Sequence, residues 1–295
     1  MKYAWVKKNK LLWPVCVQCR VLEVSVSGYR QHLARRKKIV NRRHLSETAL
    51  IVEIRAVYAA ARGAYGWPRV WRQLKAQGVR VGKLRVQRAM QQNGIRARGK
   101  RRFRIVTTDS NHALPIAPNL LARNFMVSAP NTVWAGDMTY IPTEQGWLYL
   151  TVVLDLFSRR IVGWSMGTTI DAELACGALE MAWQQRMPGS GLIFHSDRGS
   201  QYASGRYTEL IREHGIKASM SRKGNCWDNA CSETLFGSLK VERLHGEQFK
   251  THREGKDEVL DWLLWYNRSR MHSTLNYLSP AQFEQQANAQ HALAA

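Results

Sequence analysis

The sequence predicts an α/β domain, built as a mixed sheet flanked by helices, preceded by small all-α segments. From residue 131 onward, apolar runs typical of strands alternate with helical patterns. Residues 46–94 instead carry apolar side chains at helical spacing only. The positive charge is confined to the helical part: residues 1–105 hold 27 Lys and Arg against 3 acidic residues, whereas residues 106–295 hold 17 against 19.

The first segment, residues 1–45, has a helix-turn-helix-like pattern. Two short helices are predicted within residues 15–36, and the stretch Glu23-Val24-Ser25 separates them. Ser27 is expected to cap the second helix, which continues into a basic run.

Residues 46–95 give a stronger prediction of a helix-turn-helix domain with three short helices. Ser46 is a good N-cap, Pro68 suits a first helical position, and Gly78 suits a helix end. The third helix has an apolar side and a basic side, which suits reading of the DNA major groove. An ordinary helical bundle with a solvated basic face is the alternative. The residues of this helix expected to bind DNA are Lys83, Arg85 and Arg88.

Residues 96–130 have little periodicity and are interpreted as a basic linker. Arg101 and Arg102 belong to its basic run, and we expect them to contact the DNA backbone. The alternative is a disordered connector that binds nothing.

A charge distribution this one-sided predicts a polyanionic partner. We expect double-stranded DNA. An anionic membrane surface is the alternative, but no long apolar helix face accompanies the charge. No secretory signal is visible, and five cysteines, an odd number, fit a reducing cytoplasm. Cys16 and Cys19 lack a second Cys or His pair at zinc spacing, so we interpret them as small apolar residues rather than a zinc site.

The α/β domain is predicted to cover residues 131–245, and a helical extension follows at residues 246–295. The last helix of the α/β domain is expected from about Asp228 to Leu244. Strands are expected at residues 132–141, 148–154, 161–166, 192–194 and 217–220, with a helix after each of the last three.

Three carboxylates fall at functional positions on this scaffold. Asp137 lies on the first strand and Asp197 follows the fourth, while Glu233 lies on the last helix, with 35 residues between the last two. An Asp inside an apolar strand is costly unless it is paired or binds a metal. Three hard oxygen donors with room for water and phosphate suit Mg²⁺, with Mn²⁺ as a substitute. Two such ions would activate the attacking oxygen and stabilise the leaving oxygen of a phosphodiester.

Lys240 lies seven residues after Glu233 on the same helix face, where it is expected to hold a DNA phosphate. A solvated surface lysine is the alternative. Asn229, one turn before Glu233, is a candidate for contact with the substrate. The remaining candidates have structural interpretations, in which Asp155 is a turn cap and Asp228 is an N-cap. His195 is interpreted as a structural histidine at the end of a strand, and the alternative is that it approaches the metal ions. A packed helix face is expected from Trp262, Leu263, Trp265 and Tyr266.

Several motifs are similar to those of a known family. They are Trp134-Ala-Gly-Asp-Met-Thr-Tyr140, His195-Ser-Asp-Arg-Gly-Ser-Gln-Tyr202, the stretch from Ser219 through Glu233 to Lys240, Tyr266-Asn267 with Arg270, His272 and Ser279-Pro280, and, nearer the N-terminus, Cys19 to Ser25 and Tyr65-Gly66. In these motifs the chain resembles the second-frame product of the IS-three family of insertion-sequence transposases. Residues 131–244 resemble the catalytic core of retroviral integrases.

This resemblance implies a ribonuclease H-like core with a mixed five-stranded sheet. It also implies metal-dependent DNA cleavage and strand transfer, with Asp137, Asp197 and Glu233 as catalytic and metal-binding residues. Transposon ends and target DNA would be the substrates. We further expect a homo-oligomer on DNA. A further expected partner is an upstream-frame helix-turn-helix protein, joined to this chain by frameshifting. The expected location of the protein is the bacterial cytoplasm, at the nucleoid. Two other functions stay open here: a nuclease that cuts without joining, and a DNA-binding regulator with an inactive core.

Overall fold

The computed structural model describes residues 2–41, 45–99, 114–223 and 225–294. It separates into two compact units. The first comprises Met1–Ala60 with Gly66–Arg96, and the second comprises Ala61–Tyr65 with Ala97–Ala295. Within the described ranges, no helix combines the length and the apolar character needed to cross a membrane.

The first unit begins with three helices, α1 (Lys2–Lys8), α2 (Val15–Val21) and α3 (Val26–Asn41). They pack around Val6, Cys19 and Tyr29, so Cys19 serves as a small apolar residue. The predicted break between α2 and α3 is confirmed, but the predicted cap is wrong. Ser25, rather than Ser27, accepts the hydrogen bond from the Gly28 amide at 3.0 Å, because α3 begins at Val26 and Ser27 already lies inside it.

The same unit contains the predicted three-helix group, α4 (Glu47–Ala60), α5 (Trp67–Ala76) and α6 (Lys83–Gln92). Ser46 is confirmed as an N-cap, because its Oγ accepts a hydrogen bond from the Ala49 amide at 3.1 Å. Gly78 follows α5 with φ of +82°, a left-handed conformation that favours glycine at a helix end. The buried side chains that hold the group together are Leu50, Ile54, Val57, Val70, Leu74, Val86, Ala89 and Met90.

The second unit contains a five-stranded mixed sheet. Its strands are β1 (Val133–Thr143), β2 (Gly146–Asp155), β3 (Arg160–Gly167), β4 (Ile193–Ser196) and β5 (Lys217–Met220). The spatial order is β3-β2-β1-β4-β5. The first three strands pair antiparallel, whereas β4 pairs parallel with both β1 and β5. The predicted α/β fold class, with a mixed five-stranded sheet and helical segments before it, is confirmed.

Helices cover both faces of the sheet. One face packs against α7 (Ala172–Arg186), α8 (Ser200–Ala203) and α9 (Gly205–Glu213), and the other against α10 (Ala230–Leu239) and α11 (His252–Arg268). The helix α12 (Pro280–Ala294) packs against α11. Trp262, Leu263 and Tyr266 of α11 are buried and Trp265 is partly buried, which confirms a packed helix face.

The helix predicted from Asp228 to Leu244 is divided into three segments. A 3₁₀ turn (Cys226–Asn229) precedes α10, and a π-helical turn (Lys240–Leu244) follows it. The N-cap interpretation of Asp228 is wrong, because its buried carboxylate accepts hydrogen bonds from Arg123 Nε at 2.8 Å and Arg222 Nε at 2.9 Å. In the π turn, the buried Glu242 accepts a hydrogen bond from Arg270 Nη2 at 2.7 Å.

Residues 114–132 form no helix or strand, yet they pack onto the sheet. Ser219 Oγ accepts a hydrogen bond from the Leu120 amide at 2.9 Å. Asp155 is confirmed as a turn cap, because its carboxylate accepts hydrogen bonds from the Phe157 amide at 2.9 Å and the Asn131 amide at 2.8 Å. The predicted DNA contacts Arg101 and Arg102 lie outside the described residues.

Candidate active site

The pairing of β1 with β4 brings two carboxylates to the same level of the sheet. Ala135 lies opposite His195 in parallel register. Two residues further along each strand direction, Asp137 of β1 is level with Asp197, which directly follows β4. Neighbouring strands are about 4.8 Å apart. The two carboxylates therefore lie side by side where β4 ends.

The same face of β1 is turned towards α10. Alternate side chains of a strand point to the same face, so Asp137 shares its face with Ala135 and Ile141. Those two residues belong to the core that also contains Leu235 of α10. Glu233 lies in the first turn of α10 and is exposed. The fold therefore directs Asp137 towards the helix that carries the third predicted carboxylate.

The charges of both Asp197 and Glu233 act on Asp137. Burial raises the pKa of Asp137 well above its usual range, and the neighbouring Asp197 and Glu233 raise it further. A hydrogen bond from the Met138 amide at 2.8 Å and the charge of Lys240 act in the opposite direction but do not offset the increase. Partial burial also raises the pKa of Glu233, although most of its side chain is exposed. Partly buried carboxylates that repel one another form a site that a cation would stabilise.

Two glycines allow the close packing around Asp197 and Asp137. Asp197 Oδ1 accepts a hydrogen bond from the Gly199 amide at 2.9 Å. A Cβ atom at Gly199 would lie only 3.1 Å from that oxygen. A Cβ atom at Gly136 would collide with the ring of Phe194. The close approach of Phe194 to β1 therefore requires glycine at position 136, whereas a Cβ atom at position 199 would only be crowded by Asp197 and Gln201.

Lys240 is half-buried at this site rather than fully solvated. Its Nζ lies 4.7 Å from the ring centroid of Tyr140 on β1, and the Tyr140 ring packs edge-on against Trp147 with 4.9 Å between centroids. Burial lowers the pKa of Lys240, and the nearby Asp137 raises it. The sequence interpretation missed Tyr140, although an aromatic residue three positions after Asp137 is a signal that could have identified it.

His195 has a structural role, which confirms its strand-end interpretation. Its ring is buried, with Nδ1 2.9 Å from Ser219 Oγ and Nε2 3.1 Å from the backbone oxygen of Asp228. Burial lowers the pKa of His195, which favours the neutral ring. Asn229 is buried, and its Oδ1 has no hydrogen-bond partner among the described residues. Its contact with substrate stays a prediction.

A cavity opens at the end of β4, lined by Asp137, Asp197, Tyr140 and Tyr202 among others. In the described part of the chain, no three His, Cys, Asp or Glu side chains lie close enough together to hold a metal ion. The donor set nevertheless fits a hard divalent cation, because Asp137, Asp197 and Glu233 all offer carboxylate oxygens. A cation would also offset the repulsion that raises the pKa of Asp137.

The three DNA contacts predicted on α6 differ in their surroundings. Lys83 and Arg88 are exposed. Arg85 is half-buried, and its guanidinium donates hydrogen bonds to Glu47 Oε1 at 2.9 Å and to the Leu45 backbone oxygen at 2.7 Å. Part of the hydrogen-bonding capacity of Arg85 is therefore used within its own unit.

Residues 44–103 match a family described as an HTH-like domain, and residues 127–226 and 233–287 match two families that are each described as an integrase core domain. Transposase InsF for insertion sequence IS3A, from Escherichia coli strain K12, is 41% identical over 286 residues, which is 96% of this chain and 98% of that protein. The insertion element IS600 uncharacterized 31 kDa protein of Shigella sonnei is 41% identical over 268 residues, or 90% of this chain and 97% of that protein. The structure of the HTLV-2 integrase catalytic core domain in complex with magnesium, in its dimeric form, is 17% identical with a TM-score of 0.39, covering 52% of this chain and 96% of that chain.

The similarity to InsF extends over nearly the whole chain. The integrase core family is metal-dependent, and the HTH-like and integrase core domains together imply DNA as the partner. The chain therefore belongs to the IS3 family of transposases, and it is a DDE-type polynucleotidyl transferase of DNA transposition.

Proposed function

We propose that Asp137, Asp197 and Glu233 are the catalytic residues of this transposase and that they hold Mg²⁺, for which Mn²⁺ would substitute. The observation that most strongly supports this assignment is the register of β1 and β4, in which Asp137 is level with Asp197 on the face turned towards α10. Bound divalent ions would supply activation of the attacking oxygen and stabilisation of the leaving oxygen.

The reaction has a cleavage step and a joining step, and the joining step leaves the number of phosphodiester bonds unchanged. Water first attacks at the end of the element, breaks the bond between phosphorus and the 3′ oxygen, and frees a 3′-hydroxyl. That hydroxyl then attacks a target phosphodiester, so that one P–O bond forms as another breaks. The protein contributes position and charge rather than a covalent intermediate.

Lys240 would bind a phosphate oxygen of the DNA beside Asp137. Lys240 is half-buried and near enough to Asp137 for their charges to interact, so its ammonium would offset the charge of a phosphate bound at the carboxylates. The face of the Tyr140 ring keeps the ammonium in place by a cation–π contact.

The chain would bind DNA mainly through its basic first third. We assign residues 46–95 as the DNA-binding domain, with Lys83 and Arg88 as its contacts and Arg85 in a lesser role because it is paired with Glu47. Residues 1–45 would assist, and residues 96–130, with Arg101 and Arg102, would follow the DNA backbone. Residues 131–245 would form the catalytic core and residues 246–295 its helical extension.

The proposed assembly extends beyond a single DNA duplex. The substrates would be the transposon ends and the target DNA, bound by a homo-oligomer of this chain. An upstream-frame helix-turn-helix protein, joined by frameshifting, would be a further partner. The bacterial sources of the relatives support a place in the bacterial cytoplasm, at the nucleoid.

The carboxylate assignment is tested with Asp137→Asn, Asp197→Asn and Glu233→Gln, which keep side-chain shape and remove a charged ligand. Each variant should lose cleavage and joining of element-end DNA in Mg²⁺ by at least about 100-fold, while its gel-shift affinity stays near wild type. Asp257→Asn on α11, which is also a carboxylate-to-amide change, should keep full activity. Cleavage near the wild-type rate in any of the three variants would remove that residue from the assignment.

A further inference from the structure

Lys240 lies between two residues that are both bound by one buried arginine. Arg270 Nη2 donates a hydrogen bond to Ser238 Oγ at 3.1 Å, two residues before Lys240 near the end of α10. The same nitrogen donates to Glu242 Oε1 at 2.7 Å, two residues after Lys240 in the π turn. The guanidinium of Arg270 therefore bridges the junction of α10 with the π turn.

The bridge rests on a pair of charges that is almost completely buried. The side chain of Arg270 is 5% exposed and that of Glu242 is 6% exposed. Arg270 Nε also donates to both Glu242 oxygens, at 3.0 and 2.8 Å, and Trp262 Nε1 of α11 donates to Glu242 Oε2 at 3.1 Å. Displacing either side chain would leave a buried charge without its partner, which is strongly unfavourable. The π turn is therefore anchored to α11 and to the segment directly after it.

The backbone of Lys240 depends on this anchored turn. In a continuous α-helix, its carbonyl would accept a hydrogen bond from the amide four residues later. Here the Lys240 carbonyl accepts from the His245 amide, one residue further along, at 2.8 Å. The side chain of Lys240 leaves the junction towards β1, where its Nζ lies 4.7 Å from the centroid of the Tyr140 ring. Short π turns inside helices occur frequently at functional sites.

We propose that Arg270 is a positioning residue, whose bridge across the junction of α10 with the π turn holds the Lys240 ammonium against the Tyr140 ring. This inference rests on the proposed role of Lys240 as a phosphate contact. A lysine ammonium is carried on a long flexible stem, so its direction is defined only when its backbone is fixed. Arginine suits the bridge because its rigid fork of donors can hold two acceptors at once, whereas the ammonium of a lysine is a single point.

Arg186 offers a matched control within the same unit. It is 16% exposed, and its guanidinium also bridges two partners, donating to Glu284 Oε2 of α12 at 3.0 Å and to Asn131 Oδ1 at 2.8 Å. Its partners lie on α12 and on the segment before β1 rather than at the junction of α10 with the π turn. A change of arginine to lysine at either position thus removes the same fork, but only one of the two changes reaches Lys240.

The experiment measures the joining of a pre-cut element end by the full chain, at a temperature at which thermal melting shows each variant to be folded. Arg270→Lys keeps the buried charge but cannot hold both acceptors, so its joining should be about fivefold slower than wild type, as expected for one lost hydrogen bond. Arg186→Lys should join at the wild-type rate.

Ser238→Ala removes the other end of the bridge without a change at Arg270. Alanine favours the helix, so the variant should melt at the wild-type temperature or above it. Its joining should nevertheless be several-fold slower, and Ser238→Thr, which keeps a hydroxyl acceptor, should restore most of the rate. Should Arg270→Lys fail to fold, Ser238→Ala decides the question alone.

The readout that separates positioning from a merely structural role is the combination with Lys240→Ala. If the bridge acts through the ammonium, Arg270→Lys and Ser238→Ala should cause no further loss of joining in the Lys240→Ala background. A bridge that only supports the fold would slow joining by the same factor in both backgrounds, and that result would overturn the inference.

The remaining outcomes are also distinct. Wild-type joining by folded Arg270→Lys or by Ser238→Ala would overturn the role of Arg270, as would an equal loss in Arg186→Lys. In these cases slow joining by Lys240→Ala alone would leave the proposed phosphate contact intact. Wild-type joining by Lys240→Ala would instead remove the phosphate contact itself, and the inference with it.

Discussion

At the scale of single residues, Asp228 and Asp137 show how the surroundings of a carboxylate determine its role. Hydrogen bonds from Arg222 hold the pKa of Asp228 well below its usual range despite burial, and Arg123 contributes in the same direction. Asp137 has like charges around it, and its pKa is raised well above the usual range by burial, Asp197 and Glu233. Asp228 is thus an anion whose cations are built into the fold, whereas the ionised form of Asp137 would be stabilised by a bound cation.

We expect Asp228→Asn to destabilise the second unit by about 2 kcal/mol at neutral pH, because two partly exposed arginines lose a buried charged acceptor. The folded pKa of Asp228 lies below its unfolded value. Its ionised form therefore contributes stability that is fully present above the unfolded pKa of about 3.9 and is lost as pH falls through the folded pKa. Urea unfolding at several pH values should show the gap between wild type and variant narrowing below about pH 4. A gap that stays constant down to about pH 3 would contradict this account of Asp228.

At the scale of elements, most strands and helices follow from local sequence, but the division of the last core helix does not. The predicted strand at residues 217–220 coincides with β5, because its apolar pattern and flanking turns are local signals. The 3₁₀ turn before α10 instead depends on Arg123, 105 residues from Asp228. The π turn contains Glu242, whose partner Arg270 lies 28 residues away. Periodicity contains no information about such distant partners, so it predicts one continuous helix.

The same limit applies to the candidate site. The sequence predicts the three carboxylates and Lys240 because strand, helix and motif positions are visible along the chain. It does not predict that Asp137 is level with Asp197, since that depends on the register between β1 and β4. Nor does it identify Tyr140, whose ring contacts the Lys240 ammonium from another element.

Lys240, at the start of the π turn after α10, contacts the ring of Tyr140 on β1, and this contact leads to a prediction. Lys240→Ala should lower the joining of a pre-cut element end about tenfold or more without lowering the melting temperature, because a phosphate contact is lost. Tyr140→Phe keeps the ring face below the ammonium and should join at nearly the wild-type rate, whereas Tyr140→Leu should be several-fold slower. The double variant Lys240→Ala/Tyr140→Leu should be no slower than Lys240→Ala alone, because the ring acts through the ammonium.

Two outcomes would contradict that prediction in different ways. Multiplied losses in the double variant would mean that Tyr140 acts independently of Lys240. Wild-type joining by Lys240→Ala would assign the lysine no part in the reaction.

At the scale of the whole molecule, the positive charge and the proposed catalytic carboxylates occupy different parts of the chain. Residues 1–105 have a net charge of +24, and residues 106–295 one of −2. The first part therefore carries the positive charge that would attract DNA, and the second has little net charge around its carboxylates. This division is visible in composition alone. Composition does not show which basic residues remain available for DNA, because ion pairs such as that of Arg85 with Glu47 form only in the folded unit.

The affinity of the full chain for duplex DNA should fall steeply with salt, and particular residues of α6 should determine part of that slope. Each phosphate neutralised contributes about −0.9 to the slope of log K against log salt. Lys83→Gln and Arg88→Gln, which remove exposed charges, should each make the slope shallower by about 0.9, whereas Arg85→Gln should change it less because Arg85 is paired with Glu47. Fluorescence anisotropy with a labelled duplex over a salt series, in EDTA to prevent cleavage, measures these slopes. Arg212→Gln, an exposed change on α9 in the near-neutral part of the chain, is the control and should leave the slope unchanged. A slope that Lys83→Gln and Arg88→Gln leave unaltered would mean that the basic face of α6 lies away from the DNA.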